Sequence, residues 1–190
     1  MYRYIKRAPT TRLPPGVYKK RHRHGSTVTQ VTNYPVRCLC FELGENFESL
    51  AELVGTCCER LQARNVPFNL LIADHGARVF LIPQKFSHRA AKGEIPDEVA
   101  ATGVNPAVFE ISGPLLYKQQ EDYDGCSEAT AVKMLQCASL TEEDFYETVT
   151  YMLDEEHAPV GGGMMGLGAM RTTKLERIPG SIDAVGLCTS

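Results

Sequence analysis

The amino-acid sequence predicts an α+β fold, an antiparallel sheet flanked by helices. Two strand-length apolar runs, residues 67–73 and 77–83, are separated by a short turn that contains Gly76, which is typical of a β-hairpin. Apolar residues with helical spacing occupy residues 47–64, and two further helical segments follow the hairpin. Because both hairpin strands are almost entirely apolar, we expect them to be covered on both faces or to contact another copy.

The chain begins with a basic region, residues 1–33. Residues 1–41 hold nine of the 20 Lys and Arg residues and no Asp or Glu, although the net charge of the whole chain is −3. Prolines interrupt any periodicity, so we expect an irregular arm or connector with one short strand at 26–31. The excess of positive charge allows three interpretations: a phosphate-bearing partner, contact with the chain's own acidic remainder, or a chain that has been cut.

The predicted α+β domain occupies residues 34–154. A strand near residues 36–43 leads through a turn into the helix at 47–64. The apolar side of this helix begins at Phe47, and its wet side includes Arg60.

Beyond the hairpin, the pattern predicts a polar loop and a further strand. The loop covers residues 84–103 and contains a short helix that follows Pro96 and ends by Gly103. The strand covers residues 108–118 and is broken near Gly113.

Two helices complete the domain. The first covers residues 127–137. The second is capped by Thr141, with Asp144 closing the capping box and Leu140 placed to contact Phe145.

Residues 155–190 predict a flexible, glycine-rich tail. Residues 161–166 formally match GxGxxG, but no strand precedes them and no βαβ unit surrounds them. We therefore do not interpret this match as a dinucleotide site.

Composition excludes several classes of protein. The longest apolar runs have strand length, far short of the roughly 20 residues of a membrane-spanning helix, so we expect no membrane partner. Seven cysteines without a CxxC pair, and no apolar signal segment, predict a cytoplasmic chain without a disulfide framework or a structural zinc site. His75 and His88 are interpreted as a turn residue and a loop residue.

The densest polar constellation follows residue 104. Glu110, Ser112 and Lys118 have the same parity, so an unbroken strand would place them on one face. The alternative interpretation is a strand edge that carries surface ion pairs. The constellation consists of Asn105, Glu110, Ser112, Lys118, Glu121 and Asp122.

Several segments resemble one enzyme family in continuous order over residues 8–153. They are residues 34–37, 41–42, 65–74, 80–84, 93–94, 104–113, 121–123 and 138–143. Together they resemble the carboxy-terminal half of the GDP-L-galactose phosphorylases of plants and algae and of the related animal GDP-D-glucose phosphorylases. These enzymes belong to the histidine-triad superfamily, near the galactose-1-phosphate uridylyltransferases.

The resemblance implies both a fold and a reaction. The fold is the second, non-nucleophilic half of a two-repeat histidine-triad protein. In the reaction, GDP-hexose and phosphate give hexose 1-phosphate and GDP through a guanylyl-histidine, without metal or cofactor. The plant enzymes serve ascorbate synthesis.

The sequence departs from the family pattern in two places. The His-x-His-x-His motif that carries the nucleophile has no match here, and Pro114 stands where relatives have histidine. We therefore expect no catalytic residue in this chain and an amino-terminally incomplete phosphorylase, whose partner is a missing amino-terminal half or a second copy.

We expect this chain to supply part of the sugar-nucleotide pocket. The predicted substrate-binding residues are the six of the polar constellation, with Asn69 and Gln84 behind them. Arg37, or the cationic cluster at residues 19–23, is suited to counter diphosphate charge.

Two other function classes stay open at this stage. A catalytically silent binding or regulatory module would bind GDP or a GDP-hexose without forming a guanylated residue. A nucleic-acid-binding arm rests on charge composition alone, since the chain has no RNP-like aromatic pattern.

Overall fold

Five strands and seven α-helices make up the part of the chain that the computed structural model describes, which is residues 8–14 and 25–154 without the side chain of Val108. This composition confirms the predicted α+β class, whereas the relation to a histidine-triad repeat stays a prediction. In chain order the elements are β1 (Thr10–Arg12), β2 (Thr27–Val31), β3 (Leu39–Glu42), α1 (Phe47–Ala63), β4 (Phe68–Ala73), β5 (Arg78–Pro83), α2 (Phe86–Ala91), α3 (Asp97–Ala100), α4 (Val108–Ile111), α5 (Gln120–Asp124), α6 (Glu128–Ala138) and α7 (Glu142–Leu153).

The strands form one antiparallel sheet in the order β1-β2-β3-β5-β4. The hairpin of β4 and β5 is confirmed, with Leu70 opposite Leu81 and a 3₁₀ turn at Asp74–Gly76 between the strands. His75 and Gly76 have φ values of 56° and 92°, a left-handed conformation that glycine adopts without a steric penalty. Gly76, the glycine that predicted the turn, therefore lies in it.

Both faces of the central strand β5 are covered. Val79 and Leu81 pack towards α1 and α7, whereas Phe80 and Ile82 pack towards α4 and α6. Burying such a side chain contributes about 1.5–3 kcal/mol relative to leaving it in water. Cover on both faces was one of the two predicted outcomes, and for β5 it is confirmed. Edge strand β4 is less enclosed, since Ile72 is 66% exposed.

Helix α1 confirms the predicted element but corrects two of its side chains. Its amino terminus is capped by the Asn46 side chain, which accepts a hydrogen bond from the Ser49 amide at 2.8 Å. Phe47 is 54% exposed rather than on the buried side, because it lies at the first turn beside the hairpin bend. Arg60 is only 8% exposed, because its guanidinium donates to the carbonyl of Met152 in the last turn of α7.

The strand predicted at residues 108–118 is wrong. These residues, all of them described, contain helix α4 and no strand. The Glu110 carboxylate accepts a hydrogen bond from the Ala107 amide at 3.1 Å, as the glutamate of a capping box does. Local capping thus overrides the strand propensity of a short apolar run, and Glu110, Ser112 and Lys118 do not share one face of a strand.

The later helices agree with the sequence prediction. Helix α3 follows Pro96, and Gly103 adopts a φ of 61° after it. Ser127 and Thr141 cap α6 and α7 by accepting from the amides of Thr130 and Asp144. Helices α2 and α5 were not predicted.

The described part of the basic region contributes two strands, β1 and β2, to the sheet. The strand predicted at 26–31 corresponds to β2, and β1 was not predicted. The boundaries of the three predicted regions remain predictions. The basic cluster at 19–23 and the tail at 155–190, with its GxGxxG match, lie outside the described residues. Among the helices that are described, none has the length and apolarity to cross a membrane.

Candidate functional site

A cavity of about 430 Å³ lies where β2 leads towards β3 and where α6 ends before α7. Its volume falls within the range of small-molecule sites, roughly 300–1,000 Å³. The residues around it are Gln30, Val31, Thr32, Asn33, Tyr34, Pro35, Arg37, Gln136, Ser139 and Leu140.

The first wall is the segment between β2 and β3. Its shape depends on Asn33, which has a left-handed φ of 54°, and on the Thr32 amide, which donates to the carbonyl of Pro9 at 2.7 Å. The Tyr34 hydroxyl donates to the carbonyl of Ile111, the last residue of α4. Burial, followed by the proximity of Cys38, raises the pKa of Tyr34 to about 12. Tyr34 therefore remains a neutral donor that ties this wall to α4.

The second wall is the junction between α6 and α7. The Ser139 hydroxyl accepts from the Arg37 amide and donates to the Leu140 carbonyl, both at 3.1 Å. Gln84 and Ser139 also form an isolated antiparallel β-bridge, and the Lys85 amide donates to the carbonyl of Ala138 at 3.0 Å. The junction is thus fixed by the residues that follow β5 as well as by the opposite wall.

Two cations hold the first turn of α7 next to the cavity. The guanidinium of Arg37 lies 3.1 Å from the carboxylate of Glu142, and the Lys85 ammonium donates to the carboxylate of Asp144. The hydrogen bond from Lys85, followed by that from Thr141, lowers the pKa of Asp144. Arg37 remains 32% exposed, so its guanidinium is accessible from solvent while paired.

Gln30 is the most deeply buried polar side chain that borders the cavity, at 7% exposed. Its backbone is paired on both sides, with Thr11 in β1 and Leu39 in β3. The carboxamide oxygen accepts a hydrogen bond from the Tyr146 hydroxyl at 3.0 Å. This bond orients the carboxamide, and among the described residues its nitrogen has no protein acceptor.

Two of the nine predicted site residues belong to this region. Arg37 borders the cavity, and Gln84 lies behind it through its bridge to Ser139. Asn69 lies on β4, away from the cavity, and its side-chain nitrogen is buried without a partner among the described residues. Arg37, Gln84 and Asn69 all stay predicted substrate contacts, although only Arg37 borders the cavity.

The other six predicted residues surround α4 and α5 instead. Glu110 and Ser112 are engaged locally, since Glu110 caps α4 and the Ser112 hydroxyl donates to the Phe109 carbonyl at 2.8 Å. The remaining four lie at the surface and are not brought to the cavity: Asn105, Lys118 and Glu121 are exposed and Asp122 is half-buried. The link from this group to the cavity is the bond between Tyr34 and Ile111.

Sequence reasoning did not identify the polar residues that surround Arg37. These residues are Gln30, Thr32, Asn33, Tyr34, Gln136 and Ser139. Tyr34 and Ser139 fall in segments on which the family resemblance rests, so they were within reach of that signal. Gln30 offered a weaker signal, a carboxamide in an otherwise β-branched strand.

Neither histidine of the described part borders the cavity, since His75 lies in the hairpin turn and His88 in α2. Burial raises the pKa of the Cys38 thiol behind the first wall, so it remains a neutral thiol. The described residues contain no cluster of three or more His, Cys, Asp or Glu side chains that would hold a metal ion. The walls therefore offer neutral hydrogen-bonding groups and one guanidinium.

Comparison with known proteins connects this architecture to one family. The family model described as "GDPGP1-like, C-terminal domain" matches residues 4–158. GDP-L-galactose phosphorylase 1 of Arabidopsis thaliana is 43% identical over 143 residues, which is 75% of this chain and 31% of the relative. GDP-L-galactose phosphorylase 2 of the same plant is 43% identical over 131 residues, or 69% of this chain and 30% of the relative. The chain thus spans just under a third of these curated relatives, and no solved structure matches it.

Proposed function

Because the chain belongs to the GDPGP1-like family through the C-terminal domain of that family, we propose that it forms part of the substrate site of a GDP-hexose phosphorylase. The observation that carries this proposal is the 43% identity to two GDP-L-galactose phosphorylases over most of the chain. The cavity between β2 and the α6–α7 junction is the proposed position of this part of the site, because it combines a guanidinium with several neutral polar groups.

The proposed reaction consists of two displacements at the same phosphorus atom. A histidine nitrogen attacks the α-phosphorus of GDP-hexose, the bond to the bridging oxygen breaks, and hexose 1-phosphate leaves. An oxygen of inorganic phosphate then attacks the phosphorus of the guanylyl-histidine, the P–N bond breaks with the histidine nitrogen as leaving group, and the new P–O bond gives GDP. Since His75 and His88 do not border the cavity, the nucleophile must come from outside the described residues.

Arg37 is the proposed contact to the diphosphate. A guanidinium offers five N–H donors, and the pairing with Glu142 leaves others available for phosphate oxygens. The same pairing positions the guanidinium before substrate binds. This reduces the conformational entropy lost on binding.

The polar residues around α4 and α5 are proposed to form a second, outer part of the site. They connect to the cavity through Tyr34, whose hydroxyl is bonded to the end of α4. The proposal extends to Asn105, Glu110, Ser112, Lys118, Glu121 and Asp122, with Asn69 and Gln84 supporting them. A role in ascorbate synthesis, a cytoplasmic location and a partner segment or second copy that carries the nucleophile belong to the same proposal.

Equilibrium binding of GDP to the full 190-residue chain tests the proposal, and Arg37→Gln and Arg64→Gln form a matched pair of variants. Both arginines are partly exposed and pair with a glutamate of α7, but only Arg37 borders the cavity. We expect Arg37→Gln to raise the Kd for GDP about tenfold or more, the effect of losing a hydrogen bond to a charged group. Arg64→Gln should leave the Kd unchanged. Equal effects of the two substitutions would contradict the proposed site.

A silent binding module is the second candidate, and the absence of histidine from the cavity walls among the described residues favours it. Such a module binds GDP but releases none from a GDP-hexose. Incubating the chain with GDP-L-galactose and phosphate, both alone and together with the proposed partner segment that carries the nucleophile, and measuring GDP by chromatography, separates the two candidates. Phosphate-dependent release of GDP in either mixture would exclude the silent module, whereas GDP binding without release in both mixtures would support it.

A further inference from the structure

We propose that Gln30 recognises a hydroxyl group of the hexosyl part of the substrate and thereby contributes to the choice of sugar. This inference rests on the proposed function and assigns a role within the same cavity. It concerns the neutral, hydroxyl-rich end of GDP-hexose rather than the nucleotide.

The position of Gln30 suits a fixed hydrogen-bond donor. Pairing of β2 with β1 and β3 holds its backbone on both sides, and 93% of the residue's surface is removed from solvent. The Tyr146 hydroxyl donates to the carboxamide oxygen of Gln30, so the NH₂ group is the part that remains available to a ligand. A side chain held in this way loses little rotamer entropy when a ligand binds.

The NH₂ group of Gln30 has no protein acceptor among the described residues, so water or a ligand in the cavity is the partner available to it. A sugar hydroxyl is able to accept this bond and to donate another at the same time. Gln30 is therefore better satisfied by a ligand that brings a hydroxyl than by an apolar one.

The remaining polar groups of the cavity also match a neutral polyhydroxylated ligand. Gln136 and Asn33 supply exposed carboxamides, each of which both donates and accepts. The one guanidinium that borders the cavity is already offset by Glu142, so this space carries little net charge among the described residues. Because Arg37 is the proposed contact to the diphosphate, the neutral carboxamides are left for the hexosyl group, whose hydroxyls can both accept from them and donate to them.

A comparison of two ligands on the full 190-residue chain tests the role of Gln30. The Kd values for GDP and GDP-L-galactose are measured by calorimetry for the unsubstituted chain and for Gln30→Met, which preserves size. We expect this substitution to weaken the binding of GDP-L-galactose about three- to tenfold, the effect of one neutral hydrogen bond, and to leave the Kd for GDP unchanged. Tyr146→Phe, which frees the carboxamide to rotate, should produce a smaller loss with the same ligand selectivity.

Gln62→Met is the matched control, because Gln62 is an exposed glutamine of α1 that does not border the cavity. Thermal unfolding followed by circular dichroism identifies any variant that is unfolded at the assay temperature. If a folded Gln30 variant weakens GDP and GDP-L-galactose equally, Gln30 contacts the nucleotide and the inference is wrong. Unchanged affinity of a folded Gln30 variant for both ligands would also overturn the inference about Gln30. The proposed function would still stand in that case if GDP binding depended on Arg37. Failure of the unsubstituted chain to bind either ligand would instead overturn the proposed function and, with it, this inference.

Discussion

The amide of Arg37 donates a hydrogen bond to the hydroxyl of Ser139 at 3.1 Å, although the two residues are 102 positions apart in the chain. This bond joins the segment before β3 to the junction of α6 and α7, the two walls of the cavity. The guanidinium of the same arginine reaches Glu142, so backbone and side chain of Arg37 bind the same junction. The position of the proposed phosphate contact is thus coupled to the folding of the carboxy-terminal helices.

The substitution Ser139→Ala removes the hydroxyl but leaves the backbone bridge between Gln84 and residue 139 in place. We expect it to lower the free energy of unfolding by about 1 kcal/mol, because the half-buried amide of Arg37 loses its partner. Urea denaturation followed by circular dichroism measures this change. Ser87→Ala, an exposed serine of α2, should change it by less than about 0.5 kcal/mol. If both variants unfold at the same urea concentration as the unsubstituted chain, the bond to Ser139 does not stabilise the fold.

Those parts of the fold whose signals are local were predictable from the sequence. The hairpin follows from two apolar runs around Gly76, and α7 follows from the cap at Thr141 three residues before Asp144. The strand expected at residues 108–118 failed for a local reason as well. The short apolar run at residues 108–111 is compatible with a strand or with a helix. The hydrogen bond from the Ala107 amide to the Glu110 carboxylate caps the helix that forms.

The candidate site was predictable only in part, because its contacts join distant segments. Arg37 was identified as a cation, but its bond to Ser139 has no trace in the periodicity of either segment. The same holds for Gln30, whose partner Tyr146 lies 116 residues further along the chain. Tertiary packing decides such pairs, and the propensities of neighbouring residues carry no information about them.

Arg60 provides a second prediction, since it joins α1 to the last turn of α7. Its guanidinium donates to the carbonyl of Met152 at 2.8 Å, one of the terminal carbonyls that lack an intrahelical partner. We expect Arg60→Met, which keeps most of the apolar stem, to lower the free energy of unfolding by about 2 kcal/mol. The measurement is urea denaturation of both proteins under the same buffer conditions.

Arg64→Met is the control for Arg60→Met, because Arg64 also contacts α7 but from an exposed position. It pairs with Glu147 at 3.3 Å and stacks on Tyr151. These exposed contacts contribute at most about 1 kcal/mol. A loss for Arg64→Met as large as that for Arg60→Met would contradict the importance assigned to the buried bond.

The third prediction concerns acid stability and the carboxylate of Asp144. Hydrogen bonds from Lys85 and Thr141 lower its pKa below the ordinary value of 3.8 in the folded chain. A carboxylate with a lowered folded-state pKa contributes stability above its unfolded pKa, and this contribution disappears as the pH falls through the folded value. The stability difference between the unsubstituted chain and Asp144→Asn should therefore be constant near neutral pH and shrink as the pH falls below about 4. Urea denaturation from pH 7 to pH 2 measures this stability difference.

The control is the same comparison in a Lys85→Met background. There the pH-dependent part of the stability difference should be smaller, because the strongest cause of the lowered Asp144 pKa is gone. An unchanged pH dependence in that background would show that Lys85 does not hold the carboxylate in its ionised form.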